Sequence, residues 1–372
     1  MRDGRQTMDD YTWQKKLRER DRHSRRVFFA FLLVVTCVAG TLVWYFGVYR
    51  RTPEFALQQI QHAIEQRDAE MFRHYVNLDT LTSRAYDDLT VDLFAYDTTL
   101  TPKTKVMFEK FYVTIKPQLA GGTAETILHR IRDNRWTLPT GTDILQGRQL
   151  GIDYERFLER SQIRNTSLVK LGAVERNGHT ATASADIVED YTQTPYTLQL
   201  VMEQAEDGHW QVVYIQNYRD YLDTIAPLQN GDIATYIEAT QPIVDEYNPQ
   251  LKQLQKKFQR LVKTESGTMT ELQRIAVADL LSEQVIPLLE ERQEKLDAVD
   301  VPPGAQYLAR QRQQSTETTV KAWEHFINGL QQNRPSEFDT AETLHKQELA
   351  IDLRVEDIIH HTAISKNIPN LP

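Results

Sequence analysis

The sequence predicts an α+β plus all-α protein: one N-terminal transmembrane helix, a module in which helices precede an antiparallel meander, and a C-terminal antiparallel helical bundle. Three observations carry this reading. Twenty-three residues without a charge, Val27 to Tyr49, lie between two arginine pairs. Apolar residues then recur at helical spacing, change to two-residue alternation after Ser167, and return to helical spacing after Tyr218. Asn177-Gly178 and Asp207-Gly208 punctuate the alternating part as tight turns. A chain of 372 residues has room for more than one core. The expected divisions are a basic tail at 1–26, the transmembrane helix at 27–49, an α+β module at 52–222, the bundle at 227–365 and a terminal tail at 366–372.

The apolar stretch, as a helix, would be about 35 Å long and would cross a hydrocarbon core of about 30 Å with modest tilt. A cleaved signal has a shorter apolar region. Val38-Ala39-Gly40 offers a small-residue site, but Leu42-Val43-Trp44-Tyr45-Phe46 would leave an apolar new terminus. Acylation of Cys37, the single cysteine, would require a small residue before it and a polar start after it, and Val34-Val35-Thr36-Cys37 fits neither. The stretch is therefore expected to stay as an anchor. Nine lysines and arginines precede it, whereas after Arg50 and Arg51 the next is Arg67, so the N-terminus is expected in the cytoplasm and the bulk of the chain outside. Trp44, Tyr45 and Tyr49 stand where an outer aromatic belt would anchor the span. The bilayer is thus the first expected partner, through residues 27–49, and the location is the cell membrane in a single pass.

Net charge is −9, and the positive excess is confined to the tail, so everything after Arg51 is acidic. That balance argues against a nucleic-acid partner, which needs clustered cations. A single cysteine excludes an intramolecular disulfide.

Thr52-Pro53-Glu54 reads as a helix cap with proline at the first helical position, and Phe55, Ala56, Ile60, Ala63 and Ile64 give the helix its apolar face. Arg67-Asp68 marks a turn before Met71, Phe72, Tyr75 and Val76. Further helical patterns cover Leu78 to Leu93 and Pro102 to Leu119, and Gly121-Gly122 is expected to break the last. Ser167 to Glu175 and Thr180 to Val188 flank Asn177-Gly178, the alternation Tyr196, Leu198, Leu200, Met202 follows, and Asp207-Gly208 leads into Trp210 to Ile215. The result is a four-strand antiparallel meander, curled around the leading helices.

The stretch Thr52 to Leu81, with its Arg-Asp turn and its Val76-Asn77-Leu78, followed much later by the meander ending at His209 to Tyr218, resembles the bacterial family called domain of unknown function 2939. Members often carry Val-Asp-Leu where this chain has asparagine. The resemblance spans about residues 52–220. It implies a membrane-anchored module similar to nuclear transport factor 2 or cystatin-like folds, and its motifs, being structural, imply no chemistry.

After Tyr218 a stripe of Ile243, Tyr247, Leu251, Leu254, Phe258, Leu261 and Val262 predicts one helix. Leu272 to Leu289 predicts a second, kinked at Pro287. Val301-Pro302-Pro303-Gly304 interrupts, Tyr307 to Leu330 predicts a third, and Arg334-Pro335-Ser336 starts a fourth carrying Leu344, Ile351, Val355, Ile358 and Ile359. Short connections favour an antiparallel bundle.

Chemistry is sparse. Gly141 to Arg148 lacks the spacing and the Lys-Ser/Thr of a phosphate loop, and no HExxH, paired CxxC, GxSxG or GxGxxG occurs. Glu356 with His360 and Asp357 with His361 each share a helix face and could hold a divalent metal completed by His345 or Glu348, but the pattern suits solvated helix pairs better than a metal site. Asp68, Asp79, Asp87 and Asp88 are expected to cap and to face solvent. Trp210 and Tyr214, on one face of a strand with Val212 between them, together with Tyr196, are the candidate lining of a ligand pocket on the concave side of the sheet. The expected function is a binding, sensing or scaffold role in the bacterial cell envelope, with a protein partner there, without catalysis, cofactor or metal. The alternative is a small-molecule enzyme or carrier working in the concave pocket, which would require a deep pocket with a titratable group of shifted pKa.

Overall fold

The computed structural model describes residues 31–42, 44–45, 47–90, 101–137, 153–263 and 269–365. It is mostly helical, with one four-stranded antiparallel sheet. The glycine stretch at 141–148 lies outside the described residues.

Residues 31–42 are helical, and Phe31, Leu33 and Val34 expose 66%, 65% and 57% of their surface, so the other described residues do not cover them. Among the described residues no helix is long and apolar enough to cross a membrane. The expected span begins and is interrupted outside them, at residues 27–30, 43 and 46.

Helix α1 (Pro53–Gln66) starts where its sequence dictates: the Thr52 hydroxyl accepts the Phe55 N–H and Pro53 occupies the first position. It ends at Arg67, which adopts φ 58. Asp68 then caps α2 (Ala69–Tyr75), accepting the Met71 N–H at 2.9 Å. The Asn77 side chain accepts the Thr80 N–H at the start of α3 (Leu78–Thr90). Helix α4 (Pro102–Asp133) runs straight through Gly121-Gly122 instead of breaking there. The pair is flanked by buried Leu119, Ala120, Thr123 and Ala124. Burial on both sides outweighs a propensity cost of about 1 kcal/mol per glycine. Helix α5 (Tyr154–Arg160) leads into the sheet.

Strands β1 (Thr166–Asn177), β2 (Thr180–Glu189), β3 (Thr194–Gln204) and β4 (Trp210–Ile215) form the expected meander in the order β1-β2-β3-β4. Asn177 pairs with Thr180, so the first hairpin loop is Gly178-His179, one residue later than an Asn-Gly loop would place it. Gly178 alone of the two has positive φ, at 64°, which is the requirement of a loop with glycine first. On β2 the alternation is strict: Ala181, Ala183, Ala185 and Ile187 face inward, and Thr182, Ser184 and Asp186 face outward. Small inward residues let the helices approach the sheet closely.

Helix α6 (Tyr218–Val262) is continuous for 45 residues and contains Pro227, Pro242 and Pro249. The expected boundary between module and bundle, at 222–227, falls inside it. Its first turns pack under the sheet with Tyr218, Tyr221, Leu222 and Ile225, and its later turns belong to the bundle. There it meets α7 (Glu271–Leu280), α8 (Ile286–Asp297), α9 (Gln306–Gln332) and α10 (Pro335–Ser365). A π-helical turn, Leu281–Val285, joins α7 to α8 just before Pro287, so the regular helical ladder changes where the kink is expected.

Module and bundle are seamed by apolar and polar contacts. Tyr191 of the module packs against a bundle core of Ile233, Tyr236, Ala305, Tyr307, Leu308 and Ile358. Arg354 Nε donates to Asp153 at 2.7 Å and Arg156 Nε donates to Asp357 at 2.9 Å. The tight turn after β2 carries Tyr191 to the bundle, where the Arg310 guanidinium lies 5.4 Å from its ring centre.

Candidate functional site

The inner face of the sheet does not close completely on the helices. A cavity of about 230 Å³ remains between them. Leu81, Ala85 and Leu89 of α3 form one wall, Leu168, Ile187, Leu198 and Ile215 of the sheet another, and Tyr218 and Tyr221 of α6 close an end. Each wall follows from periodicity. The α3 residues recur at four-residue spacing, the strand residues are inward positions, and Tyr218 and Tyr221 are one helical turn apart.

The polar groups around the cavity are neutral and mutually engaged. Tyr86 Oη lies 2.9 Å from Thr123 Oγ1, which is 3.2 Å from Tyr154 Oη. Tyr218 donates to the Ser161 carbonyl at 2.8 Å, and Tyr221 Oη shares a hydrogen bond of 2.7 Å with Thr166. Burial raises the Tyr86 and Tyr218 phenols, and pushes Tyr221 up to about 12, so these phenols stay protonated near neutrality. Among the described residues neither a carboxylate nor a histidine lines the cavity. The described lining offers apolar contact and shape.

The three residues expected to line a pocket are not gathered in this cavity. Trp210 is fully buried in a separate cluster with Phe55, Tyr75, Ala181 and Met202, and its indole N–H is used by the Arg51 carbonyl. Tyr214 points to the other face of the sheet. Val201 pairs with Tyr214 and Met202 with Val212, so Val213 is an extra residue in β4 that reverses the alternation beyond it. Ile215 takes the inward place, and Tyr214 reaches Asp88 at 3.4 Å and lies 5.2 Å below the Arg84 guanidinium. Tyr196 sits at the rim, its ring 5.2 Å from that of Tyr221.

The acidic candidates have structural duties. Asp68 is a cap, Asp79 lies in the first turn of α3, and Asp87 pairs with Lys116 at 2.5 Å. Asp357 pairs with Arg156, and His361 sits in a small pocket with Glu159, Arg156 and Arg160. His345 Nδ1 lies 2.7 Å from Glu348. Among the described residues no group of three potential metal ligands comes together.

The residues around the cavity that sequence reading missed are Tyr86, Thr123, Ser161, Tyr218 and Tyr221. Tyr218 and Tyr221 stand one turn apart on α6, whereas Tyr86, Thr123 and Ser161 come from three other segments and share no local pattern. Fold and site together define a helix-backed antiparallel sheet enclosing an apolar cavity and continuous with a helical bundle. No protein-family model matches this chain, and it has no match among curated proteins or solved structures.

Proposed function

We propose that this is a membrane-anchored, extracytoplasmic binding or sensing protein of the bacterial cell envelope, whose α+β module takes a small apolar ligand in the cavity under the sheet. One observation carries the reading: a cavity of about 230 Å³ whose walls are apolar and whose bordering hydroxyls are already hydrogen-bonded. Such a cavity rewards apolar ligands and lacks the titratable pair that hydrolysis or proton transfer needs. The anchor is residues 27–49, with the basic tail in the cytoplasm. Its support is the uncharged run, the cationic bias before it and the uncovered apolar surface of residues 31–42. Membership of the domain of unknown function 2939 family belongs to the same proposal and rests on the Thr52–Leu81 and His209–Tyr218 stretches.

The test is calorimetric titration of indole into the full chain in lipid nanodiscs, referenced to empty nanodiscs. Saturable binding to the wild type, lost in Ala85→Phe, which fills the cavity from α3, is the expected outcome. Equal heats for both proteins would refute it.

A further inference from the structure

A second concavity lies in the bundle, away from the sheet. Helices α6, α8, α9 and α10 leave between them a cleft of about 620 Å³, which adjoins a smaller one of about 190 Å³ and shares Asn248, Arg292, Ser315 and Asp352 with it. The two ends differ in chemistry. At the wide end Leu254, Phe258, Leu289 and Trp323 present an apolar wall, with the Phe258 and Trp323 rings 5.3 Å apart. At the narrow end stand Arg292 and Arg312.

At the narrow end one carboxylate stands against two arginines, which leaves a positive charge in excess among the described lining residues. Asp352 is the carboxylate that faces them in the narrow end, and its Oδ1 already accepts the Ser315 hydroxyl at 2.5 Å. Arg312 donates to Thr240, a neutral partner, at 2.7 Å. Arg292 Nε is buried and has no acceptor among the described residues. Farther out, Glu348 lies 2.7 Å from His345 Nδ1, and Lys252 adds a cation at the rim. The cleft is therefore apolar at one end and cationic at the other, with a donor awaiting an acceptor where the two meet.

We propose that this cleft binds a single-chain amphiphile with an anionic head, the head accepting from Arg292 beside Arg312 and the chain lying along Leu254, Phe258, Leu289 and Trp323. A carboxylate and a phosphate monoester satisfy the same donors, so a fatty acid and a lysophosphatidic acid are the two sources of this chemistry. A cationic amphiphile would meet two half-buried guanidinium groups. The inference does not depend on the apolar cavity under the sheet.

Photolabelling separates the possibilities. The full chain in phosphatidylcholine nanodiscs is irradiated with a palmitate analogue bearing a diazirine near the end of its chain, and labelled peptides are mapped by mass spectrometry. The expected result is labelling of the peptides that contain Phe258, Leu289 or Trp323. Palmitate or lysophosphatidic acid should compete, showing which head fits better, and hexadecylamine should not. Arg292→Met should weaken labelling on the order of tenfold, as for loss of a charge-assisted hydrogen bond. Thr319→Trp, which obstructs the cleft and leaves both arginines in place, should abolish it. Labelling confined to the membrane segment or to the cavity under the sheet, labelling unchanged in both variants, or competition by hexadecylamine equal to that by palmitate would each overturn the proposal.

Discussion

Trp210 donates its indole N–H to the carbonyl oxygen of Arg51 at 3.0 Å, across 159 positions of sequence. That bond ties the residue that follows the apolar segment to the last strand of the sheet. Around it the rings of Trp44, Tyr49, Phe55 and Tyr75 pack in succession, with neighbouring centres 5.4 to 6.3 Å apart. The module therefore sits directly on the end of the apolar segment. Trp210→Phe should remove the donor and leave a small void, at a cost of about 2 to 3 kcal/mol. A lower urea midpoint at unchanged slope would register it.

Gly304 lies where the loop before α9 crosses α6. A Cβ there would come within 2.8 Å of the Gln229 Cα and 3.1 Å of the Asp232 carboxylate, which accepts the Gly304 N–H at 2.8 Å. Gly304→Ala should push the loop off the helix and cost about 1 to 3 kcal/mol in thermal unfolding. Gly121→Ala, where a Cβ meets nothing within 4 Å, should be neutral or stabilising by about 0.5 to 1 kcal/mol.

The two ion pairs across the seam should differ in weight. Arg354 and Asp153 leave 12% and 20% of their side chains exposed, and Arg354 also donates to Gln311 at 2.6 Å. Asp357, by contrast, is half-exposed. Arg354→Met should destabilise by about 2 to 3 kcal/mol because it strands a partly buried carboxylate. Asp357→Asn should cost less than about 1 kcal/mol. Scanning calorimetry of the two variants provides the comparison.

His361 is held neutral by burial and by the charges of Arg160 and Arg156, which together push it down to about 2. His360, Asp357 and Glu159 are its other titratable surroundings. Below about pH 6.5 the unfolded chain binds a proton at this histidine that the folded chain refuses, so folded stability falls as the pH falls. The slope approaches about 1.4 kcal/mol per pH unit between roughly 6 and 3. Glu159, raised by its own burial, acts in the opposite sense, so the wild type should be compared with His361→Leu. The variant's urea midpoint should fall less steeply on acidification.

Membrane placement has a direct readout. With Cys37 replaced by serine, a cysteine at Gly178, the tip of the first hairpin, should react with an impermeant maleimide on intact cells, and one at Thr7 should not. Labelling at Thr7 alone would invert the orientation.

Much of the fold is legible in the sequence because it is local. Thr52-Pro53, Asp68 and the strict alternation on β2 each specify their element through neighbours a few residues away. The failures have non-local causes. Gly121-Gly122 reads as a break because propensity is visible and the burial of Leu119 and Ala124 is not. The extra residue Val213 moved Tyr214 to the wrong side, since a bulge is a property of pairing between strands and leaves no mark on β4 itself. The cavity was the least legible feature, because the walls contributed by Ala85, Leu198 and Tyr221 become neighbours only once α3, β3 and α6 are assembled. The arginines of the bundle cleft, Arg292 and Arg312, carry no pattern that separates them from the many surface arginines.

Helix α6 borders both concavities, with Tyr218 and Tyr221 at one and Leu254 and Phe258 at the other. In mechanical terms it is a common axle: any displacement that a guest imposes on one end must be absorbed along the rod or delivered to the far end. Its compliance is not uniform, since each of its three prolines deletes one rung of the helical ladder. Pro227 and Pro242 lie between the two contact zones and Pro249 at the near edge of the second, so how stiffly those zones are geared together is set in large part by residues that line neither concavity.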